Sequence, residues 1–403
     1  MRVLFAHRSV VGHFIHLAPA LAAAGHEVVF LAAETDGAPA GLRTLRLRPN
    51  RDAHASTHHY LQPLERAVLL GQAAFRAARG LAEAGFVADA VVFHAGFGPG
   101  LYLKDAFPRA GAVGWFEWFY TAHGSDADFL DPAAIGPDDE LRIRTLNAGM
   151  LLELAACDRA VAPTEWQRDR FPAPFRAKLA TLHEGIDTSF FTPGPPEAAT
   201  LHVPGDAEIV TYVARGLEPY RGFPDFVRAV AILQRRRPRL VAVVAGGERT
   251  WYGAKPPGVA RSWREFVLAE QGPELDLGRL IMLPFLPQAG VRDLFRRSDA
   301  HVYLTVPFVL SWSVLEAMAT GCALVAADTP PVREVVEHGH NGLLADMRDA
   351  EAIAAAVERL LDDRALARRL RAAARSTIVE RYALERQLIR QGRLLEEVAA
   401  TRR

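Results

Sequence analysis

The stretch Tyr303–Cys322 joins an apolar run, a polar turn and a helical pattern, and its residue types suit the binding of an anion. Leu304 ends the apolar run, Pro307 ends the strand, and Gly321 is a natural residue to follow a helix. A strand that opens onto a helix N-terminus directs free N–H groups and the positive end of the helix dipole into the loop. We therefore predict a phosphate site here, with the ligand-binding residues Ser311, Trp312, Ser313 and Val314.

Glu316 lies in the first turns of this predicted helix, and its role has two interpretations. Its carboxylate could accept hydrogen bonds from both hydroxyls of a ribose, which would place a nucleotide on the helix. Alternatively, Ser313 and Glu316 have the S-x-x-E spacing of a capping box, which only closes a helix N-terminus. Either Ser311 or Ser313 can cap the helix, so the local pattern leaves both interpretations open.

A second predicted anion site follows the strand 208–214. The loop that comes next carries guanidinium groups at Arg215 and Arg221, and an arginine can hold two phosphate oxygens at once. Gly216 and Gly222 let the backbone approach a ligand closely. Because this loop stands at a strand end, we predict that both arginines bind a diphosphate. The alternative is a pair of solvated loop arginines.

In the first half of the chain, polar loops follow the predicted strands. The loop after the first strand contains Gly12, which we predict to contact the ligand, and Glu117 and His123 follow the strand 112–116. We predict that Glu117 and His123 orient a sugar hydroxyl, although either can instead be a structural residue satisfied by its neighbours. A lone glycine is not the G-x-G-x-x-G of a dinucleotide-binding loop, so no dinucleotide is predicted. Nearby aromatic residues can stack on a flat ligand or form core: Trp115, Trp118, Phe119 and Tyr120.

Strand and helix patterns alternate along both halves, which predicts an α/β protein with ligands at the carboxyl ends of parallel strands. At 403 residues the chain is long for one hydrophobic core, so we expect two domains. The Pro-rich run that ends at Pro196 is typical of a linker. We predict a first domain over 1–192, completed by a C-terminal helix at about 380–403, and a second domain over 193–379.

The composition excludes several classes of function. Lys plus Arg equals Asp plus Glu at 47 each, so no overall field favours nucleic acid. Cys157 and Cys322 have neither metal-site nor redox spacing. No run reaches the roughly 18 apolar residues of a membrane-spanning helix, and the N-terminus lacks a signal-peptide pattern. We expect a cytoplasmic protein with no transmembrane segment, and peripheral contact with a membrane stays open.

These motifs together resemble the retaining glycosyltransferases of family 4, and the resemblance covers nearly the whole chain. It implies the GT-B fold, with two Rossmann-like domains facing across a cleft and a C-terminal helix that crosses back to the first domain. Arg215 and Arg221 take the places of the family's diphosphate-binding pair. The matching segments are His7–Ala22 for the N-terminal loop and helix, His183–Asp187 for the interdomain turn, Ser313–Gly321 for the LEAMA-x-G helix and Asn341–Leu344 for the NGLL segment.

The sequence departs from the family pattern at Phe308. The family usually has a glutamate near the donor sugar at this place, eight positions before Glu316, and the Gly-Phe-Gly that follows it is replaced by 309–312. We interpret Phe308 as part of a variant donor site, which leaves the sugar undefined. Phe285 and Leu286 are predicted, from position alone, to contact the base.

The resemblance implies a retaining enzyme that moves a sugar from a nucleotide diphosphate sugar to an acceptor hydroxyl on a glycan, lipid-linked or natural-product acceptor. The first half would hold the acceptor. We expect no cofactor and no metal ion, because no Asp-x-Asp lies in the loops predicted to bind the donor and the arginines already supply positive charge. The alternatives are a sugar-nucleotide epimerase on the same fold and a non-catalytic sugar-nucleotide-binding protein.

Overall fold

The computed structural model describes residues 1–196 and 203–401. Within them the chain forms two compact units. Unit 1 comprises Met1–Gly124, Asp131–Gly185 and Leu384–Arg403, and unit 2 comprises Ser125–Leu130 and Ile186–Ala383. The change of unit after Gly185 precedes the expected boundary near Pro193. The segment Ser125–Leu130 is a difference from the prediction, which assigned it to the first domain.

Unit 1 is built on a parallel sheet. Among the described residues the sheet has seven strands, which are β1 (Arg2–Ser9), β2 (Glu27–Glu34), β3 (Arg43–Arg46), β4 (Ala90–His94), β5 (Gly111–Trp115), β6 (Arg159–Ala162) and β7 (Leu179–Thr181). Their order across the sheet is β3-β2-β1-β4-β5-β6-β7, and neighbouring strands run parallel. Most of these strands are buried along nearly their whole length, as expected when helices cover both faces of a sheet.

Helices cover both faces of this sheet. They are α1 (Leu17–Ala23), α2 (Gln62–Glu83), α3 (Leu103–Ala106), α4 (Pro137–Leu146), α5 (Ala148–Ala156), α6 (Glu165–Asp169), α7 (Ala173–Arg176) and, from the end of the chain, α15 (Leu384–Ala400). On one face, Leu395 and Val398 of α15 pack in a core with Phe5, Phe14 and Trp115. The other face packs against α2 and α5 through a core that includes Leu70, Ala74 and Leu154. The C-terminal helix therefore completes unit 1.

Unit 2 repeats the architecture. Its described strands are β8 (Glu208–Gly216), β9 (Leu240–Gly247), β10 (Leu280–Leu283), β11 (Ala300–Tyr303), β12 (Leu324–Ala327) and β13 (Leu343–Ala345), in the order β10-β9-β8-β11-β12-β13. Its helices are α8 (Phe223–Arg236), α9 (Trp263–Gln271), α10 (Gln288–Arg297), α11 (Trp312–Thr320), α12 (Pro330–Arg333), α13 (Ala350–Asp362) and α14 (Arg364–Arg381). Both units are thus parallel α/β layers, as the alternating pattern predicts.

Each sheet changes direction of winding beside its first strand. In unit 1 the chain moves outward from β1 to β2 and β3, then returns to the other side of β1 with β4. Unit 2 does the same around β8, with β11 on the second side. The loops after two such strands leave in opposite directions, so a crevice opens at their carboxyl ends. The ends of β1 and β4, and of β8 and β11, are where ligands are expected.

One local prediction is confirmed, since Gly321 ends α11 with a φ of 77°. The Thr164 hydroxyl accepts a hydrogen bond from Gln167 N and caps α6. Both cysteines are free and buried. Helices α2, α4 and α5 were not predicted from the sequence. Among the described residues, no helix is both long and apolar enough to cross a membrane.

The loop 95–100, which follows β4, packs tightly against α2. Gly98 has a φ of 96°, and a Cβ at this position would lie 2.0 Å from the carbonyl oxygen of Ala67. The buried carboxylate of Glu153 on α5 accepts a hydrogen bond of 2.7 Å from Gly96 N. Burial raises the pKa of Glu153 to about 8. The loop is therefore fixed from both sides, and it is the segment that continues from His94.

Gly98→Ala should destabilise the protein, because alanine meets both an unfavourable φ and the backbone of α2. We expect a loss of about 2 kcal/mol or more, seen as a lower melting temperature by circular dichroism. Gly80→Ala is the matched control, since Gly80 is exposed on α2 with open space at its Cβ. It should stabilise by about 0.5–1 kcal/mol. A Gly98→Ala protein that melts at or above the wild-type temperature would contradict the tight loop.

Candidate active site

Arg215 stands at the carboxyl end of β8 and is exposed. Its Cζ lies 3.5 Å from the centroid of the Trp251 ring, and the Cζ of Arg249 lies 4.0 Å from the same ring. Among the described residues, no carboxylate oxygen lies within 4.0 Å of a guanidinium nitrogen of Arg215, so Arg215 forms no ion pair with them. The indole therefore holds the guanidinium by a cation–π contact, and its charge stays available for an anion.

Arg221 reaches the end of β11. Its Nη1 donates a hydrogen bond of 2.9 Å to Oγ1 of Thr305. Gly222 follows with a φ of 68°, and a Cβ there would lie 2.5 Å from Cβ of Leu304. Only glycine allows the loop to pass this close to the strand end. Like Arg215, Arg221 forms no ion pair with a carboxylate in the part of the chain that the structure describes.

The carboxylate nearest in sequence to these arginines is already engaged. Glu218 is buried and accepts hydrogen bonds from the backbone N–H groups of Trp251 and Tyr252. Burial raises the pKa of Glu218, although these N–H groups and the two arginines act in the opposite direction. Glu218 therefore fixes the loop that presents Trp251 to Arg215. No role was predicted from the sequence for Glu218, Trp251 or Tyr252.

Aromatic rings surround Arg221. Phe308 is buried, with its centroid 4.9 Å from that of Tyr252 and 6.0 Å from that of Tyr220. The Cζ of Arg221 lies 5.5 Å from the Tyr252 centroid and 6.0 Å from the Phe308 centroid. The predicted donor-site residue Phe308 thus lies beside the predicted diphosphate arginine. The wall formed by Tyr220, Tyr252 and Phe308 is apolar where the family has a carboxylate.

An Asp-x-Asp sequence from outside the predicted donor loops lies in unit 2. Asp126 and Asp128 belong to the segment Ser125–Leu130. The Tyr220 hydroxyl donates a hydrogen bond of 3.1 Å to Oδ2 of Asp126. Burial raises the pKa of Asp126. The prediction missed this segment because it comes from the first half of the chain and joins unit 2 only in the folded protein.

The N-terminus of α11 opens next to Tyr303. Ser311 is the cap, because its hydroxyl accepts from Ser313 N, and Ser311 N donates at 3.1 Å to the Tyr303 hydroxyl. The Val314 side chain is fully buried in the core of unit 2, so a ligand contact there would involve its backbone N–H, and this contact stays a prediction. Trp312 also packs partly on that core. The helix start is therefore well anchored.

Glu316 does not form a capping box. Ser311, not Ser313, is the cap, so Glu316 lies too far along the helix to close it. Its carboxylate has no hydrogen-bond partner among the residues described, and burial raises its pKa to about 7. A half-buried carboxylate without a donor is unfavourable in the empty protein. The capping-box interpretation is therefore wrong, and the ribose interpretation, in which a ligand supplies the missing donors, stays a prediction.

A cluster of histidines surrounds Glu117 in unit 1. One carboxylate oxygen of Glu117 lies 2.7 Å from Nε2 of His13, and the other lies 3.2 Å from Nε2 of His94. His7 Nε2 lies 3.3 Å from Nδ1 of His13. His7 lies two residues before the end of β1 and His94 ends β4, so the cluster occupies the crevice expected between these strands. The structure thus places Glu117 where a site was predicted and adds three histidines that were not.

The charges within this cluster are set by burial and by Glu117. Burial lowers the pKa of His7 and of His94, which are therefore neutral. Burial also disfavours charge on His13, but attraction and a hydrogen bond to Glu117 outweigh it and raise the pKa of His13 to about 9. Burial opposes ionisation of Glu117, but His13 and His94 hold its pKa well below the ordinary value. Glu117 is thus an ionised, hydrogen-bonded carboxylate.

Three of these side chains could hold a metal ion by their spacing, since the ligand nitrogens of His7, His13 and His94 lie within 4.8 Å of one another. The hydrogen bonds argue against it. Ser9 N donates at 2.9 Å to Nδ1 of His7, so neutral His7 carries its hydrogen on Nε2, the atom that faces His13. A coordinating nitrogen must be bare. The hydrogen bonds therefore favour a cluster of hydrogen-bonded histidines over a metal site.

The remaining predicted residues have mixed outcomes. Gly12 lies over His7, where a Cβ would be 2.7 Å from Cε1 of that ring, so it belongs to the cluster. His123 lies 3.0 Å from Glu140 in an exposed pair. Phe285 is exposed, whereas Leu286 packs on the core of unit 2. Of the two, Phe285 therefore offers the larger surface to a ligand. Trp115 is buried in the core, which was one of the two alternatives for the aromatic residues, the other being a stack on a flat ligand.

Comparison with known proteins agrees with this arrangement. The family model "Glycosyl transferase family 4 group" matches residues 24–191, and the model "Glycosyl transferases group 1" matches residues 197–377. The two models therefore cover both halves of the chain. With its two parallel α/β units and an arginine-lined crevice, the chain belongs to the family 4, group 1 glycosyltransferases.

Curated relatives carry the same type of name. D-Inositol 3-phosphate glycosyltransferase of Thermobispora bispora is 28% identical over 297 residues, which are 69% of this chain and 67% of that protein. The enzyme of that name from Saccharomonospora viridis is 30% identical over 283 residues, which are 65% of this chain and 62% of that protein. The matches thus span about two thirds of these relatives.

Solved structures show the same fold at low identity. Sucrose-phosphate synthase from Thermosynechococcus elongatus has a TM-score of 0.72 and 18% identity, and the match covers 100% of both chains. HepE of Anabaena in complex with UDP-glucose has a TM-score of 0.69 and 16% identity, covering 98% of this chain and 100% of that one. These similarities establish the GT-B fold.

Glu316→Gln should stabilise the empty protein increasingly as pH rises. Because the folded pKa is raised to about 7, the unfolded chain loses this proton first, and wild-type stability falls between the ordinary glutamate pKa and pH 7. The amide carries no such penalty. We expect the variant to gain about 1–3 kcal/mol relative to wild type between pH 5 and pH 8, measured by urea unfolding.

Glu270→Gln, at an exposed position of α9, is the control and should show no pH-dependent difference. Equal stability of wild type and Glu316→Gln at all pH values would contradict the half-buried, unpaired carboxylate.

Proposed function

We propose that this protein transfers a glycosyl group from a nucleotide diphosphate sugar to an acceptor hydroxyl, with retention of configuration. The observation that carries the proposal is the pair Arg215 and Arg221, held at the crevice between β8 and β11 without carboxylate partners among the described residues. Two guanidinium groups without carboxylate partners at one crevice attract an anion. A diphosphate fits both guanidinium groups and the nearby N-terminus of α11.

The nucleoside would lie on α11, with the ribose hydroxyls donating to Glu316. HepE was solved with UDP-glucose, so UDP is the first nucleotide to test here. The wall of Tyr220, Tyr252 and Phe308 would contact the sugar through its rings, which favours an apolar sugar face. The relatives named D-inositol 3-phosphate glycosyltransferases support a polyol as one candidate acceptor.

The chemistry follows from where charge develops. As the glycosidic bond to the diphosphate breaks, negative charge grows on the leaving phosphate, and pre-positioned guanidinium groups stabilise that charge in the transition state. In the mechanism proposed for retention, the acceptor hydroxyl attacks from the side of the leaving group, and the phosphate takes its proton. No protein nucleophile is required. No sequence or structural feature favours the epimerase or the binding protein, and a cytoplasmic location stays a prediction.

Incubation with mixed nucleotide sugars, followed by mass spectrometry, tests the proposed function. Free nucleoside diphosphate together with a glycosylated acceptor, such as a glycosylated polyol, is expected. An isomeric sugar nucleotide would instead identify an epimerase. Binding without any product in the presence of a broad acceptor panel would identify a binding protein.

Arg215→Ala and Arg221→Ala should each weaken UDP binding by about 1.5–3 kcal/mol, the range for a hydrogen bond to a charged group. Uridine binding should hardly change, since uridine lacks the diphosphate. Isothermal titration measures both. Arg239→Ala is the matched control, because Arg239 is exposed at the opposite end of β9. Equal losses for uridine and UDP would show that these arginines do not hold phosphate.

Turnover should survive removal of divalent metal ions, because the two arginines supply the charge that a metal would otherwise bring to the diphosphate. Dialysis against EDTA followed by a nucleotide-release assay checks this, with untreated enzyme in parallel. Loss of activity that manganese or magnesium restores would overturn the proposal. The Asp126 and Asp128 pair would then be the first place to look, and Asp126→Asn should abolish the restoration.

A further inference from the structure

His94 occupies a closed environment at the end of β4. It is 4% exposed, and its ring stacks between those of His13, at 4.3 Å, and Phe97, at 5.5 Å. Its Nε2 faces Glu117 at 3.2 Å. The ring is therefore held on both faces and at one edge, so its orientation is fixed.

The tautomer of His94 follows from its partner. An ionised carboxylate only accepts hydrogen bonds, so each nitrogen that contacts Glu117 must carry a hydrogen. For His94 that nitrogen is Nε2, and the neutral ring then has a bare lone pair on Nδ1. This assignment holds whether His13 is neutral or charged, because His13 also donates to Glu117 through Nε2.

The bare nitrogen has no donor in the protein. His94 Nδ1 is buried and lacks a hydrogen-bond partner within the described part of the chain. Trp115 pairs with His94 across β4 and β5, and its indole N–H is likewise buried and unpaired among the described residues. The cluster thus has one unmatched acceptor and one unmatched donor on paired positions of adjacent strands. A hydroxyl can donate a hydrogen bond, so this class of ligand complements the bare Nδ1 of His94.

We propose that Glu117 is a positioning residue that fixes His94 with Nδ1 as an acceptor, and that this nitrogen receives a hydrogen bond from a hydroxyl of a sugar or polyol substrate. The assignment rests on the proposed glycosyl transfer, which supplies such a substrate. It gives unit 1 a defined contact for a hydroxyl and explains why an ionised carboxylate is buried between histidines. His7 and His13 extend the same network to the end of β1.

Glu117→Gln tests the positioning role directly. A carboxamide offers one oxygen and one NH₂ group, so it cannot accept from both His13 and His94. One of the two rings must therefore lose the hydrogen from its Nε2, so that its hydrogen lies on Nδ1. In ¹⁵N-histidine NMR of the full chain, wild-type His94 should show a hydrogen on Nε2, and the variant should show a changed tautomer for His94 or His13. A His94 that carries its hydrogen on Nδ1 in wild type would overturn the proposal.

The substrate contact is tested with myo-inositol and glucose as probes. Addition of a saturating polyol, with UDP present, should shift the Nδ1 resonance of wild-type His94 and leave that of His59 unchanged. Sugar transfer by Glu117→Gln should fall about 100-fold or more in kcat, the loss expected when a substrate hydroxyl is misplaced, while the affinity for UDP stays within about twofold of wild type. Glu117→Asp keeps two acceptor oxygens and should recover part of the rate.

Asp138→Asn is the matched control, because Asp138 faces His59 in an exposed histidine–carboxylate pair of unit 1. It should leave tautomers and turnover unchanged. No shift of Nδ1 with either polyol, together with normal turnover of Glu117→Gln, would mean that only water fills the place and would overturn the proposal. Failure of the wild type to bind UDP would instead overturn the proposed function, while the tautomer measurement would still stand by itself.

Discussion

Both units depend on the same constraint, the reversal of winding beside the first strand of a parallel sheet. Loops that leave β1 and β4, or β8 and β11, diverge, and no connection covers the carboxyl ends between them. Side chains at these ends face each other with little competition from backbone. In unit 1 they are His7 and His94, and in unit 2 Arg221, from the loop after β8, contacts Thr305, which follows β11. The two crevices share the same local strand order and differ in the side chains that line them.

In unit 2 the crevice concentrates positive charge. The Glu218 carboxylate, the nearest in sequence that could neutralise the arginines, is committed to the backbone N–H groups of Trp251 and Tyr252. Trp251 in turn supports Arg215 through its ring rather than through an opposite charge. The unit thus holds its guanidinium groups in place without neutralising them, which preserves their attraction for a diphosphate. The Glu316 carboxylate accepts no hydrogen bond from the described residues, so it has room to accept hydrogen bonds from the hydroxyl groups of a ligand.

In unit 1 the crevice is organised around one buried negative charge. Ionised Glu117 accepts from two histidines, and because it cannot donate, it determines which ring nitrogen carries each hydrogen. Glu153 adds a second buried carboxylate, which holds the loop after β4 through Gly96 N. Gly98 lets this loop lie against α2. The position of His94 is therefore determined jointly by the sheet, the loop and Glu117.

The sequence by itself determined the parallel α/β architecture, the arginine pair at a strand end and the glycine that ends α11, because the period of apolar residues, strand-end loops and a terminal glycine are local signals. It left Ser311 and Ser313 open as the cap of α11. Tertiary structure decided what depends on distant residues. It placed Asp126 beside Tyr220 and brought His7, His13 and His94 around Glu117. The folded chain also has Ser311 as the cap, with Ser311 N bound to the Tyr303 hydroxyl, which removes the capping-box interpretation of Glu316. His7 and His94 stand near the ends of two strands that are adjacent only in the sheet, and strand order is a long-range property that no local pattern records.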